Sequence, residues 1–332
     1  MLRTGAVSRT LLTSLLLLPL AACGTSGSSG ADKSDDKAGG AAAGFPYTVT
    51  NCGVKTTFTQ APKRAVALNQ HATEILLALG LKDRMAGTAY LDDKISPEYR
   101  KAYDSVKVLA EKYPSKETLL GANPDFVYGG YASAFDKGEG RDRTGFQKSG
   151  INTRLNIESC AKGPIGVDDL KTEVTQVSRI FNVPERGKKL IAREQKGLDS
   201  VAARLTGIEP VSVFVYDSGD SSAFTAGGQG LGNDIIRRAG GRNVFADVGK
   251  SFADVSWERV IARKPDVVVI YDYGGTSVAA KKQRLLDDPA LKNVPAIKNK
   301  RFAVLPLSSA VLGIRAADAV DGLAAQLHPD AK

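Results

Sequence analysis

The chain has 332 residues, of which 24% are charged and 42% hydrophobic, and carries a formal net charge of +9. That length suffices for two lobes, each with its own core. The charges are scattered, with no basic run and no basic residues interleaved with aromatics, which argues against a nucleic-acid partner and leaves a solubilising surface with a mild bias toward anionic ligands.

The first residues read MLRTGAVSRTLLTSLLLLPLAACG. Arg3 and Arg9 form a basic start, Leu11 to Leu20 an apolar run too short for a permanent span, and small residues follow. This predicts a secretory signal over residues 1–22. The stretch Leu20-Ala-Ala-Cys23 resembles a bacterial lipobox, which implies a lipid on Cys23 and attachment to the outer face of the cell membrane. An ordinary cleaved signal with a stray cysteine is the alternative. Residues 24–44 contain no large apolar side chain. They cannot offset the entropy of ordering, so residues 23–44 are expected to be an anchor and a flexible tether. Such a tether holds the folded body about 25 Å from its attachment point. With Cys23 lipidated, Cys52 and Cys160 remain; in an exported protein a disulfide between them is expected, two free buried thiols being the alternative. Neither lies in a C-x-x-C motif, so redox catalysis has no support.

From Phe45 on, short apolar strands alternate with helical patterns, the rhythm of parallel α/β layers. Strands are predicted at 64–69, 84–88, 106–109, 126–128 and 153–157. Helices are predicted at 71–79, closed by Gly80, and from a Ser115 cap to Asn123-Pro124. Val167, Leu170, Val174, Val177 and Phe181 lie on one helical face. Pro184 then opens a helix running to Leu205, roughly 33 Å long. The rhythm restarts after Pro210. Strands are expected at 211–216, 267–270 and 302–307, and helices at 233–239, after a Ser256 cap, and at 313–327. The expected architecture is α/β: two lobes with mainly parallel sheets flanked by helices, joined by one long connecting helix. The boundaries are 45–182 for the N-terminal lobe, 183–207 for the connecting helix and 208–332 for the C-terminal lobe.

One passage occurs twice. SKETLLGANPDF starts at residue 115 and SWERVIARKPDV at residue 256, with Ser, Glu, two aliphatics, Pro and Asp at equal offsets. The repeat marks equivalent places in two similar lobes.

Several ordered blocks, among them PKRAVALNQHATEILLALG, PSKETLLGANPDFVYGG, NDIIRRAGGRNVFAD and VSWERVIARKPDVVVI, give the chain a family likeness. It resembles the class III substrate-binding lipoproteins of ABC importers for iron-siderophores, cobalamin and haem, over residues 62–329. The resemblance implies a ligand held in a shallow cleft between the lobes, with ABC permease subunits as partners. It also implies that Glu117 and Glu258, one per lobe, dock onto basic residues of the permease. Each lies in the first turn of its helix, where the dipole favours a carboxylate; a purely dipole-complementing surface role is the alternative. A monomer is expected.

Ligands of open α/β sheets meet the carboxyl ends of the strands. His71, Tyr90, Tyr131, Tyr216 and Tyr273 sit at such ends, and the resemblance adds Trp257 and Arg315. The flat apolar faces and polar edges of Tyr and Trp suit a bulky amphipathic ligand. An iron(III)-siderophore leads, with cobalamin, haem or another cofactor-like molecule as alternatives. With only His71 and His328 in the chain, a bare zinc or manganese site is not expected; any metal, iron above all, arrives already chelated, and no cofactor of the protein's own is implied. An exported α/β enzyme is the reading of another class. It lacks support, because His71 is the one available base and no G-x-S-x-G elbow exists. The loop Gly227-Gly-Gln-Gly-Leu-Gly232 departs from G-x-G-x-x-G and is expected to be a mobile lobe-edge loop.

Overall fold

The computed structural model describes residues 43–331 apart from Asp92. The segments read from sequence as signal and tether, and Cys23 with them, lie almost entirely outside the described residues.

The body begins with an antiparallel hairpin, β1 (Tyr47–Asn51) and β2 (Val54–Phe58), which the sequence reading did not include. Its alternation is strict: Tyr47, Val49 and Asn51 face inward and the residues between them face solvent. Cys52, in the hairpin turn, is bonded to Cys160, with Cα atoms 5.6 Å apart across a separation of 108 residues. The bond ties the hairpin to the segment following the last strand of the first sheet.

That sheet contains β3 (Ala65–Leu68), β4 (Met85–Ala89), β5 (Val108–Ala110), β6 (Phe126–Gly129) and β7 (Asn152–Leu155). Their order is β5-β4-β3-β6-β7, every pairing parallel. The central strands β3 and β6 are buried on both faces, which is why they read as unbroken apolar runs. Further along the chain come β8 (Val211–Tyr216), β9 (Ala223–Ala226), β10 (Gly241–Asn243), β11 (Phe252–Val255), β12 (Val267–Asp272) and β13 (Phe302–Pro306). Four of these form a parallel sheet in the order β10-β8-β12-β13, while β9 and β11 pair antiparallel apart from it. The fold is therefore α/β, with two mainly parallel sheets flanked by helices.

One helix, Pro184–Arg204, joins the two sheets. Leu190, Leu198 and Val201 are its buried stripe. It packs on helix Asp169–Ile180 and on the terminal helix Ala316–Leu327. A single apolar cluster includes this stripe, Phe126 and Tyr128 from the first sheet, and Val213, Val215 and Val269 from the second. The lobes thus share one core through the helix. The opposite face of the second sheet has its own cluster, built on Phe214, Tyr216, Val268 and Ile270. Strand parity alone assigns these side chains to the two faces.

The repeated passage is structural in both copies. Ser115 and Ser256 are the N-caps of Lys116–Gly121 and Trp257–Arg263, their hydroxyls accepting from the amides of Thr118 and Arg259. The repeated aspartates fasten the start of the neighbouring strand. Asp125 accepts from the amides of Lys63 and Arg64 at 2.7 and 2.9 Å. Asp266 accepts from the amide and hydroxyl of Ser212 at 3.2 and 2.5 Å.

Candidate ligand-binding cleft

The carboxyl ends of β3 and β4 are strained. Asn69, just past β3, has φ 76 and ψ 156, and Tyr90, just past β4, has φ 56. Backbone of this kind in a non-glycine residue costs about 1–3 kcal/mol each and persists only where surrounding contacts impose it. Asn69 Oδ1 accepts from the Tyr113 hydroxyl at 3.0 Å and from the amides of Gly130 and Tyr131, each at 3.3 Å. Tyr113 meets Tyr90 edge to face, with ring centres 4.6 Å apart. Tyr90, Tyr113 and Tyr131 thus make an aromatic wall on the first lobe.

Across from it, the ends of β8 and β12 supply Asp217 and Tyr273. The Tyr273 hydroxyl donates to Asp217 Oδ1 at 2.5 Å. Lys281 lies against the Tyr273 ring, 4.6 Å from its centre, and donates to the Tyr271 carbonyl at 2.6 Å. Burial raises the Asp217 carboxyl and lowers the Lys281 amine, and burial together with Asp217 keeps the Tyr273 phenol protonated. Phe224 on β9 and Phe252 on β11 stack nearly parallel, their centres 5.7 Å apart.

Between these walls lies a cavity of about 480 Å³, which Leu307 and Val311 also line. A second chamber of about 510 Å³ shares Tyr90 and Tyr131 with it and extends to Lys112, Asp136 and Arg141. Both volumes are typical of small-molecule sites, about 300–1,000 Å³. Among the described residues the first chamber is aromatic and aliphatic with one carboxylate, Asp217; the second is polar and mixed in charge. Among the described residues no cluster of three or more His, Cys, Asp or Glu side chains could hold a metal ion.

Of the seven residues assigned to the cleft from sequence, Tyr90, Tyr131 and Tyr273 line it. The other four do not. His71 is 2% exposed and lies behind the wall. Its ring sits 2.4 Å from where a Cβ on Gly130 would be, so position 130 has no room for a side chain. Burial lowers the His71 pKa to about 4, and its ring packs edge-on to Tyr131. Tyr216 and Trp257 lie in the cluster on the far face of the second sheet. The Tyr216 hydroxyl donates to Gly219 O and the Trp257 indole to Asp220 O. Trp257 packs against the rings of Phe214 and Tyr216 with Arg284 over it, so it is a core residue and no wall of the cleft. Arg315 makes a bidentate pair with Glu74 of the first lobe, at 2.8 and 2.6 Å. Its remaining nitrogen, Nη1, donates to Ser308. This arginine joins the lobes and does not face the cavity.

Sequence reasoning did not assign Tyr113, Phe224 and Phe252 to the site. The short run Phe252-Ala-Asp-Val255, with an aromatic and a β-branched residue, was the available signal for β11, but the pairing with β9 that brings Phe252 to the cavity is tertiary. The glycine-rich loop 227–232 is packed, and its first three amides are committed to backbone carbonyls. Gly227, Gly228 and Gln229 spend their N–H groups on the carbonyls of Ser251, Val248 and Lys250. A Cβ on Gly228 would come within 2.0 Å of Ala246 O.

The family model described as periplasmic binding protein matches residues 66–308, from β3 through the end of β13. The chain belongs to the periplasmic binding protein family. Within it, the chain is of the class III kind that serves ABC importers, and family membership places it outside the cytoplasm. A periplasmic binding protein from Veillonella parvula superposes with a TM-score of 0.79 at 32% identity, covering 85% of this chain and 97% of that one. The periplasmic heme-binding protein of Roseiflexus sp. RS-1 gives 0.67 at 25% identity, covering 82% and 100%. In sequence, a vitamin B12-binding protein of Vibrio vulnificus is 25% identical over 72% of this chain and 80% of its own length.

Besides Arg315–Glu74, several bonds hold the halves of this binding protein together. Asn156 Nδ2 donates to Leu312 O at 2.9 Å, and Leu312 N to Glu158 at 2.6 Å. Val167 N donates to Asp234 at 2.8 Å. Burial pushes the Glu158 carboxyl up to about 7. Glu117 and Glu258 are exposed in the first turns of the two repeated helices. Glu117 is held below the usual carboxylate range by its own amide and the Ser115 hydroxyl, Glu258 by the Ser256 hydroxyl and its own amide. Both remain ionised at neutral pH.

Proposed function

We propose that this periplasmic binding protein captures one iron(III)-siderophore complex per monomer in the inter-lobe cleft and delivers it to an ABC permease. The observation that carries this reading is the lining of the apolar chamber. Its ring faces and aliphatic groups suit a chelate that has already wrapped its metal, and among the described residues its one charged group is Asp217. Among the described residues no lysine or arginine lines that chamber, which favours a neutral, hydroxamate-like complex over one bearing several free carboxylates. Glu117 and Glu258 are proposed as the permease contacts, and Cys23 as the lipidated residue that anchors the body through the 23–44 tether. The lobe boundaries 45–182, 183–207 and 208–332 belong to the same proposal. A corrinoid is the second reading, favoured by the vitamin B12-binding relatives. The relatives are binding proteins, and we propose no catalytic role.

The test is equilibrium dialysis of purified protein against a ferric trihydroxamate, cyanocobalamin, ferric haem and free zinc or manganese. Saturable one-to-one binding of the trihydroxamate is expected. Preferential uptake of cyanocobalamin would select the second reading, and tight binding of a bare divalent ion would end the chelate reading.

A further inference from the structure

We infer that Asn69 is the positioning residue of the cleft, holding the aromatic wall of the first lobe in its binding geometry. The inference rests on the cleft being the ligand site. Asn69 precedes helix Gln70–Ala78, where an asparagine normally turns its side-chain oxygen back to cap the first amides. It makes no such cap. Its Oδ1 points to the wall instead, and accepts from the Tyr113 hydroxyl and from the amides of Gly130 and Tyr131.

Each member of the wall is linked to that oxygen, directly or through a neighbouring ring. Tyr113 is held directly. Its hydroxyl also bonds Ser133 Oγ at 3.0 Å, on the turn that follows Tyr131. Tyr90 is held through the edge-to-face contact with Tyr113. Tyr131 is held by its own amide, and its ring rests on His71. The arrangement forces Asn69 into backbone space that is essentially reserved for glycine, yet a glycine would have no oxygen to offer. The strain is therefore located where it sets side-chain positions. A site whose rings are already in place does not have to order them when the ligand enters. Asn69 Nδ2 is buried and has no partner, so the amide is needed at this position for its oxygen.

Two substitutions separate this role from a backbone role. Asn69→Gly fits the observed φ and ψ and removes the oxygen; Asn69→Asp keeps an acceptor of the same reach. The protein is labelled with ring-¹³C tyrosine and the signals of Tyr113 and Tyr131 are assigned by Tyr→Phe variants. In Asn69→Gly both signals are expected to collapse toward the positions of unstructured tyrosine, with Tyr216 and Tyr271 unmoved and the melting temperature retained. In Asn69→Asp they stay near their original positions. Wild type and variants are then titrated with a ferric trihydroxamate, cyanocobalamin and ferric haem. For whichever probe saturates the wild type, Asn69→Gly should bind about tenfold more weakly at unchanged stoichiometry, and Asn69→Asp within about threefold. Wild-type ring signals in Asn69→Gly would overturn the inference, as would undiminished affinity. If the wild type binds none of the probes, the chelate reading fails, and the ring signals still decide the role of Asn69.

Discussion

Replacing Arg315 with methionine tests whether this arginine binds the ligand or fastens the lobes. In the structure Glu74 is 1% exposed in its side chain and Arg315 16%. The carboxylate receives two bonds from Arg315 and one from the amide of Ser96 at 2.7 Å. Methionine preserves most of the stem's packing and deletes the charge. Glu74 then stays buried with a single N–H partner. Removing one member of a buried pair costs about 3–5 kcal/mol, because the remaining charge is left uncompensated. The Ser308–Asp93 hydrogen bond at 2.8 Å survives the change, so the lobe contact is weakened and not erased. The assay is urea unfolding followed by Trp257 fluorescence, beside ligand titration of the same samples. The double variant Arg315→Met/Glu74→Gln should recover more than half of the loss, since a neutral amide tolerates burial better than a lone carboxylate. Affinity of Arg315→Met for the ligand should stay within about threefold of wild type. A destabilisation below about 1 kcal/mol would show that the pair behaves like an exposed one, and a large loss of affinity at full stability would return Arg315 to the cleft.

Trp257→Ala should destabilise the protein by about 3–5 kcal/mol, the usual cost of emptying an aromatic core site, and leave ligand affinity intact, measured by denaturation and dialysis. Burial raises Glu194 to about 7, so its ionisation costs stability above that pH, and the cost disappears as pH falls to the ordinary glutamate range. Glu194→Gln should therefore stabilise by up to about 3 kcal/mol at pH 8 and by almost nothing at pH 4, in paired unfolding curves. His71 runs oppositely: its neutral folded form loses stability as pH falls from 6.5 to about 4, a loss that His71→Gln should flatten. Reversing Glu117 and Glu258 to Lys should leave capture unchanged and stop cellular uptake; normal uptake would refute a docking role. Reducing the Cys52–Cys160 bond should cost up to about 4.7 kcal/mol, and two titratable thiols in unfolded, unreduced protein would contradict the bond.

What the sequence determined by itself was the order of elements and their faces. Apolar runs with Gly and Pro punctuation located the central strands, Pro184 located the start of the long helix, and Ser115 and Ser256 located two caps. These are local properties, written in periodicities of two and of 3.6 residues. Strand parity also held a signal that was not used: Phe214 and Tyr216 share a face, and Trp257 joins them there. Tyr90, Tyr131 and Tyr273 were legible because they lie within two residues of a strand end. The rest was decided in three dimensions. Whether Arg315 meets a ligand or Glu74 depends on a partner 241 positions away. Whether His71 is exposed depends on Gly130 closing over it. Phe224 and Phe252 reach the cavity only through the β9–β11 pairing, and Asn69 holds the wall only because Tyr113 and Tyr131 come from two other loops. Long-range contact has no periodicity, so it leaves no pattern along a single chain.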